Sequence, residues 1–207
     1  MKPLLLPPTI RTARPDEVPK DEKILNRIAE REHANIVEGY TLKLNRSDEL
    51  PFEFSAEINI DNNRLWLLFK TLTLQLPEEV ACIYHHIDDE PTYGIYTDKF
   101  TLLNHLEQYK IEIAQDGFIE IGVIFNNEEF LEEAFVKRAK YIQYWGMDQT
   151  RFENTMHEFE LYQLDDINFM DEYPLTTESL KMYNPAVHDT DEFLEELDKL
   201  FVEDEEA

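Results

Sequence analysis

"KIEIAQDGFIEIGVIF", residues 110–125, is the stretch that decides what kind of sheet this chain builds. Two runs alternate apolar with polar residues on either side of Asp116-Gly117, a pair that tolerates the left-handed backbone of a tight turn, so the stretch reads as a β-hairpin. A hairpin means antiparallel pairing, and the neighbouring segments can then be placed around it.

Downstream, "NNEEFLEEAFVKRAKYIQYWG" (126–146) carries conflicting signals. Asn126 with Glu129 resembles a capping box, and Glu133 with Lys137 has the spacing of a helical ion pair. The density of β-formers in "AFVKRAKYIQYW" favours a short acidic turn followed by a strand from about Phe135 to Trp145. Upstream, "VACIYHHI" (80–87) is apolar on both pleat faces over its first half, as a central strand is, and "TYGIY" (92–96) reads as a short antiparallel neighbour. In "PFEFSAEINI" (51–60), Phe52, Phe54, Ala56, Ile58 and Ile60 alternate with polar residues, the cleanest strand pattern in the chain. "YTLKLN" (40–45) and "INFMDEYP" (167–174) read as further short strands.

Helices are interspersed. Ile24, Leu25, Ile28 and Ala29 recur at helical spacing behind Asp21, predicting about three turns that end near Gly39. Leu65, Leu68, Phe69, Leu72 and Leu76 define a second helix ahead of Pro77, and Phe100, Leu103 and Leu106 a third, capped by Thr97 or Asp98. Asp148 caps a fourth, with Phe152, Met156 and Phe159 inward. "TDEFLEELDKLF" (190–201) is amphipathic. With no internal repeat, the expected class is α+β: a single domain with a largely antiparallel sheet packed with several helices. Its expected divisions are an extended Pro-rich arm plus helix at 1–39, an α+β core at 40–185, and an acidic amphipathic helix and tail at 186–207. Five of the ten prolines fall in residues 1–20, which excludes helix there.

Charge narrows the partners. The chain has 207 residues and a formal charge of −26; of 19 bases and 45 acids, nine of each fall in residues 1–50, so the whole imbalance lies beyond them. Such a field repels phosphates and anionic lipid while attracting basic proteins, so neither nucleic acid nor membrane is expected as a partner. The longest unbroken apolar run, Leu65 to Phe69, falls far short of the roughly 20 residues of a membrane span. Prolines cut short the apolar start "MKPLLLPP", so a cytoplasmic location is expected. The lone Cys82, inside "VACIY", reads as a small buried hydrophobe.

Candidate sites begin with "IYHHIDDEP" (83–91). In a strand His85 and His86 point to opposite faces, so they do not ligate one ion together. His86 and Asp88 share a face and are the pair to examine if a pocket exists there. HxxxH and HExxH spacings are absent, and no metal or other cofactor is expected. GxSxG, GxGxxG and P-loop patterns are also missing, so no catalytic residue is assigned. Tyr144, Trp145 and Asp148, followed by Asp165, Asp166, Asp171 and Glu172, combine the aromatic anchors and steering charges found at protein interfaces. Strand alternation puts Tyr141 and Trp145 on one face and Tyr144 on the other, so at least one of those faces is core.

An acid excess with aromatics set among the acids and no catalytic signature resembles, at the level of class, the bacterial immunity proteins. That resemblance implies a non-catalytic binding protein that occludes a basic partner such as a toxin domain, offering carboxylates where the toxin expects phosphates. Two readings of other classes stand beside it: an enzyme using carboxylate and His86 acid–base chemistry, and a structural or regulatory subunit held through its arm and C-terminal helix.

Overall fold

The computed structural model describes residues 2–47 and 50–202. Along the chain lie β1 (Ile10–Thr12), α1 (Glu22–Glu30), β2 (Gly39–Leu44), β3 (Phe54–Asn59), α2 (Asn62–Gln75), β4 (Glu79–His86), β5 (Thr92–Tyr93), β6 (Thr97–Asp98), α3 (Lys99–Leu106), α4 (Lys110–Gln115), β7 (Ile119–Asn126), β8 (Leu131–Val136), β9 (Ile142–Gly146), α5 (Gln149–Glu158), β10 (Leu175–Thr177) and α6 (Thr190–Phe201). The fold is α+β. One antiparallel sheet runs β2-β3-β9-β8-β7-β4-β5, with β6 pairing beside β4; β1 and β10 form a separate two-stranded ribbon.

α2 to α6 lie on one face of the sheet. Phe54, Ala56 and Ile58 of β3, Val80, Cys82 and Tyr84 of β4, and Ile119, Ile121 and Val123 of β7 point into the main core. There they meet Leu65, Leu68, Phe69 and Leu72 of α2, Leu102 and Leu106 of α3, and Phe193, Leu197 and Phe201 of α6. Each such side chain contributes about 1.5–3 kcal/mol on removal from water. The 3.6-residue period of α2 therefore ties it to the sheet, and α6 is built into the same core. Aspartates start four of the helices: Asp21 accepts from Lys23 N, Asp98 from Thr101 N, Asp148 from Arg151 N and Asp189 from Glu192 N, at 2.7–3.0 Å. Each cap contributes about 1 kcal/mol.

Several expectations are corrected. Residues 110–115 are helix, not the first arm of a hairpin. The run continues the apolar stripe of Leu102, Leu106, Tyr109 and Ile113, all buried, and leaves Ile111 exposed; six residues are too few to separate a period of 2 from one of 3.6. Asp116 and Gly117 turn the chain from helix into β7, with Asp116 Oδ1 accepting from Phe118 N at 2.9 Å. Gly117 does not adopt the left-handed backbone; it is needed because a Cβ there would sit 2.8 Å from Thr177 Cγ2 and 2.9 Å from Ile10 Cγ1, on the underside of the β1–β10 ribbon.

The hairpins lie further on. β7 pairs with β8 and β8 with β9, so the single strand expected over 135–145 is two strands divided by a turn at 137–141. Lys137 N donates to Tyr141 O there and Lys140 N to Lys137 O, with Lys140 at φ 58°. A lysine in the left-handed region is uncommon, and nothing in the local sequence announces the turn. α1 ends at Glu30, followed by a 3-10 turn at Arg31–His33, well before Gly39. The strand expected over 167–174 is instead a 3-10 turn at Met170–Glu172, closed by the Glu172 carboxylate accepting from Phe169 N at 2.7 Å.

Candidate partner-binding face

The register of the sheet assembles its second face row by row. Ala81, Ile124, Glu133, Trp145, Ser55 and Lys43 stand side by side across β4, β7, β8, β9, β3 and β2. The adjoining row is Ile83, Gly122, Phe135, Gln143, Glu57 and Thr41, extended by Tyr93 at the β5 edge. Ala81, Ile83, Ile124 and Phe135 form an apolar cluster here, with Leu131 and Trp145 half-buried against it. Every member is a strand residue; no residue of a described helix belongs to it. Tyr93 is 64% exposed.

Gly122 shapes the surface. A Cβ there would collide with Phe135 Cδ2, so the glycine lets the Phe135 ring lie across β7. His85 stacks on that ring at 6.3 Å, and the Lys137 ammonium stands 5.1 Å from its centroid. Glu120, buried beside them, binds Lys137 Nζ at 2.6 Å, accepts from Arg138 N at 2.9 Å and lies 3.5 Å from His85 Nε2. This end of the face is internally paired.

Glu133 is not. It stands between Ile124 and Trp145 on the neighbouring strands, and among the described residues no base lies within salt-bridge distance of it. Burial pushes its carboxyl up to about 7; the Lys137 charge works the other way but is outweighed. Glu132, one residue back, shows the alternative: it faces the helices and meets Arg151 at 2.7 Å.

One end of the second face is covered by other described segments. The loop after α5 and the N-terminal arm close over Tyr141, Ala139, Phe169, Ile10 and Val37 in a separate cluster. Tyr141 and Phe169 lie 4.7 Å apart, and Asn59 Nδ2 donates to Asn168 O at 2.9 Å. Of the acids of that loop, Asp171 stands against Tyr141 of this face.

The structure separates the interface residues expected from sequence. Trp145 lies in the middle of the open face. Tyr144 belongs to the main core at 1% exposure, stacked on Phe152 at 5.3 Å, and has nothing to offer a partner. Asp148 is the cap of α5. Asp165, Asp166, Asp171 and Glu172 are all exposed on the covering loop. Asp166 is drawn to Asn35, and Glu172 is occupied by its own turn. The Asp171 carboxyl is raised above its ordinary range, chiefly by the surrounding protein, and Tyr141 is its first counterweight.

His86 faces the helix side. It stacks on Phe118 at 6.0 Å and lines an open cleft of about 240 Å³ with Asp189, Thr190 and Asp191. Asp88 contributes only its backbone N–H, 3.4 Å from His86 Nδ1, and its carboxylate does not line the cleft. Among the described residues no three His, Cys, Asp or Glu side chains are grouped to hold a metal. No described helix is long and apolar enough to cross a membrane.

Sequence reading missed Glu133 as a site residue. Its spacing from Lys137 suggested a helical pair, whereas in the strand Lys137 reaches Glu120 on β7 instead. No protein-family model matches the chain, and no curated protein or solved structure matches it.

Proposed function

We propose that this chain is a non-catalytic binding protein that holds a basic protein partner on the open face of its sheet, as an immunity protein holds the toxin it neutralises. The observation that carries the reading is Glu133, a carboxyl without a salt-bridge partner among the described residues, set among Ile124, Leu131, Phe135 and Trp145 in a chain of formal charge −26. The half-buried Trp145 and Leu131 and the exposed Tyr93 supply contact, and the field supplies attraction and fast encounter. Asp165, Asp166 and Asp171, exposed on the loop after α5, fit the role of steering charges. A cytoplasmic location goes with this reading.

The test is to co-express the chain with the product of the gene beside its own and measure the association rate between 0.05 and 0.5 M salt. The rate is expected to fall steeply with salt, to fall on reversal of Asp165, Asp166 and Asp171 to lysine, and complex lifetime to shorten with Trp145→Ala. Association that ignores both salt and Trp145 would rule the reading out.

A further inference from the structure

The open face has a composition that selects among basic partners. Ala81, Ile83, Ile124 and Phe135 form its buried floor, and Leu131 and Trp145 stand half-buried at its surface beside Glu133, whose carboxylate has no base within salt-bridge distance among the described residues; Trp145 lies directly across the strand pair from it. Lys137 is held by Glu120 at 2.6 Å and Lys43, at the far end of the Glu133 row, lies 3.8 Å from Glu57, so both ammoniums that the register places on this face have carboxylate partners. The carboxylate therefore calls for a cation from outside, and its surroundings favour one kind. A lysine ammonium is compact and strongly hydrated, and loses much of that hydration on an apolar surface. A guanidinium is planar and weakly hydrated, pairs with a carboxylate through two parallel N–H groups, and lies flat on an aromatic ring.

Resting on the basic-partner reading, we infer that Glu133 and Trp145 form the seat for a single arginine side chain of the partner, its guanidinium paired with the Glu133 carboxylate and stacked on the Trp145 indole. Leu131, two residues before Glu133 on the same face of β8 and half-buried, receives an aliphatic neighbour of that arginine, and the buried Phe135, two residues after it, supports the seat from beneath. The acids of the loop after α5 contribute attraction without discriminating arginine from lysine.

The probes are three capped tripeptides, Ac-Leu-Arg-Leu-NH2, Ac-Leu-Lys-Leu-NH2 and the neutral citrulline analogue, titrated into the full chain at pH 8. The readout is the pair of tryptophan indole N–H resonances: Trp145 reports the seat, and Trp66, on α2 with its indole toward Glu107, serves as internal reference. The arginine peptide is expected to move the Trp145 signal saturably and that of Trp66 little. It should bind more tightly than the lysine peptide, with the citrulline peptide weakest. Glu133→Gln should weaken the arginine peptide about tenfold, the effect of one lost charge pair. Trp145→Leu, followed through the backbone amide of Glu133 because the variant lacks the reporting indole, should abolish the preference for arginine over lysine. The amide fingerprint of each variant verifies its fold.

Equal binding of arginine and citrulline peptides overturns the seat, as does unchanged affinity in Glu133→Gln or the absence of any Trp145 shift. Equal, salt-sensitive binding of arginine and lysine peptides overturns it too, but leaves the basic-partner reading standing. That reading fails separately, through salt-independent association of the folded partner.

Discussion

Glu133→Gln should make this protein more stable, by an amount that grows with pH. The folded chain holds the Glu133 carboxyl at about 7, against 4.5 for an ordinary one, because burial between Ile124 and Trp145 disfavours the charge. Between those two values the folded state keeps a proton that the unfolded state releases. Stability therefore falls as pH rises from 4.5 to 7 and levels off above it. A displacement of that size corresponds to about 3 kcal/mol at most, and the partly open site lowers this toward about 2 kcal/mol. Glutamine keeps the shape and removes the charge. Urea unfolding followed by circular dichroism at pH 5.5, 7 and 8.5, all above the isoelectric point near 4.4, should show the variant ahead throughout. The gap should widen by about 1–2 kcal/mol across the series, and at pH 8.5 the midpoint temperature should rise by about 4–8 °C. A variant equal to the parent at every pH, or less stable at pH 8.5, would refute the assignment of Glu133 as an unpaired buried carboxyl.

Other substitutions probe neighbouring parts of the structure. Lys140, 2% exposed with its Nζ on Ile119 O at 3.2 Å, is pushed down by burial to about 8. The unfolded chain binds the proton more tightly between pH 8 and 10.5, so stability should rise with pH there; calorimetry from pH 8 to 9.5 should show this rise in the parent and lose it in Lys140→Met. Gly122→Ala should destabilise the sheet by about 1–3 kcal/mol in urea unfolding, because its methyl group displaces Phe135, with Ala134 O also only 2.7 Å away. Arg151→Met leaves the buried Glu132 carboxylate without its partner and should cost about 3 kcal/mol, most of it regained when Glu132→Gln is added. A double-mutant cycle by urea unfolding measures the difference.

The elements most legible in the sequence were those whose period ran long enough to be unambiguous. Phe54, Ala56 and Ile58 announce β3, and Leu65 to Leu76 announce α2, because each pattern repeats several times over a face that meets the core. The aspartate caps were legible because they act within three residues. Residues 110–115 were not, since six residues fit two periods and the deciding neighbours, Leu102 and Leu106, belong to the preceding helix. The turn at Lys140 was hidden because its left-handed backbone is held by tertiary contacts rather than by glycine or asparagine. Trp145 was recognisable from alternation within β9. Glu133 acquires its character only from the register of three strands, which no single stretch encodes.

The order of strands also has a consequence for how the chain is made. β7, β8 and β9 are joined by short turns and can pair as soon as they are synthesised, whereas β3 finds its partner in β9 across more than 80 residues, and β1 waits for β10 until residue 177 has appeared. Closing the longer loops carries the larger entropy, so the local meander is the natural nucleus and the flanks are late arrivals. Ile124, Glu133 and Trp145 all belong to that meander. The row that carries the open face would thus be present on a partly built chain, before the N-terminal arm has anything to fasten to.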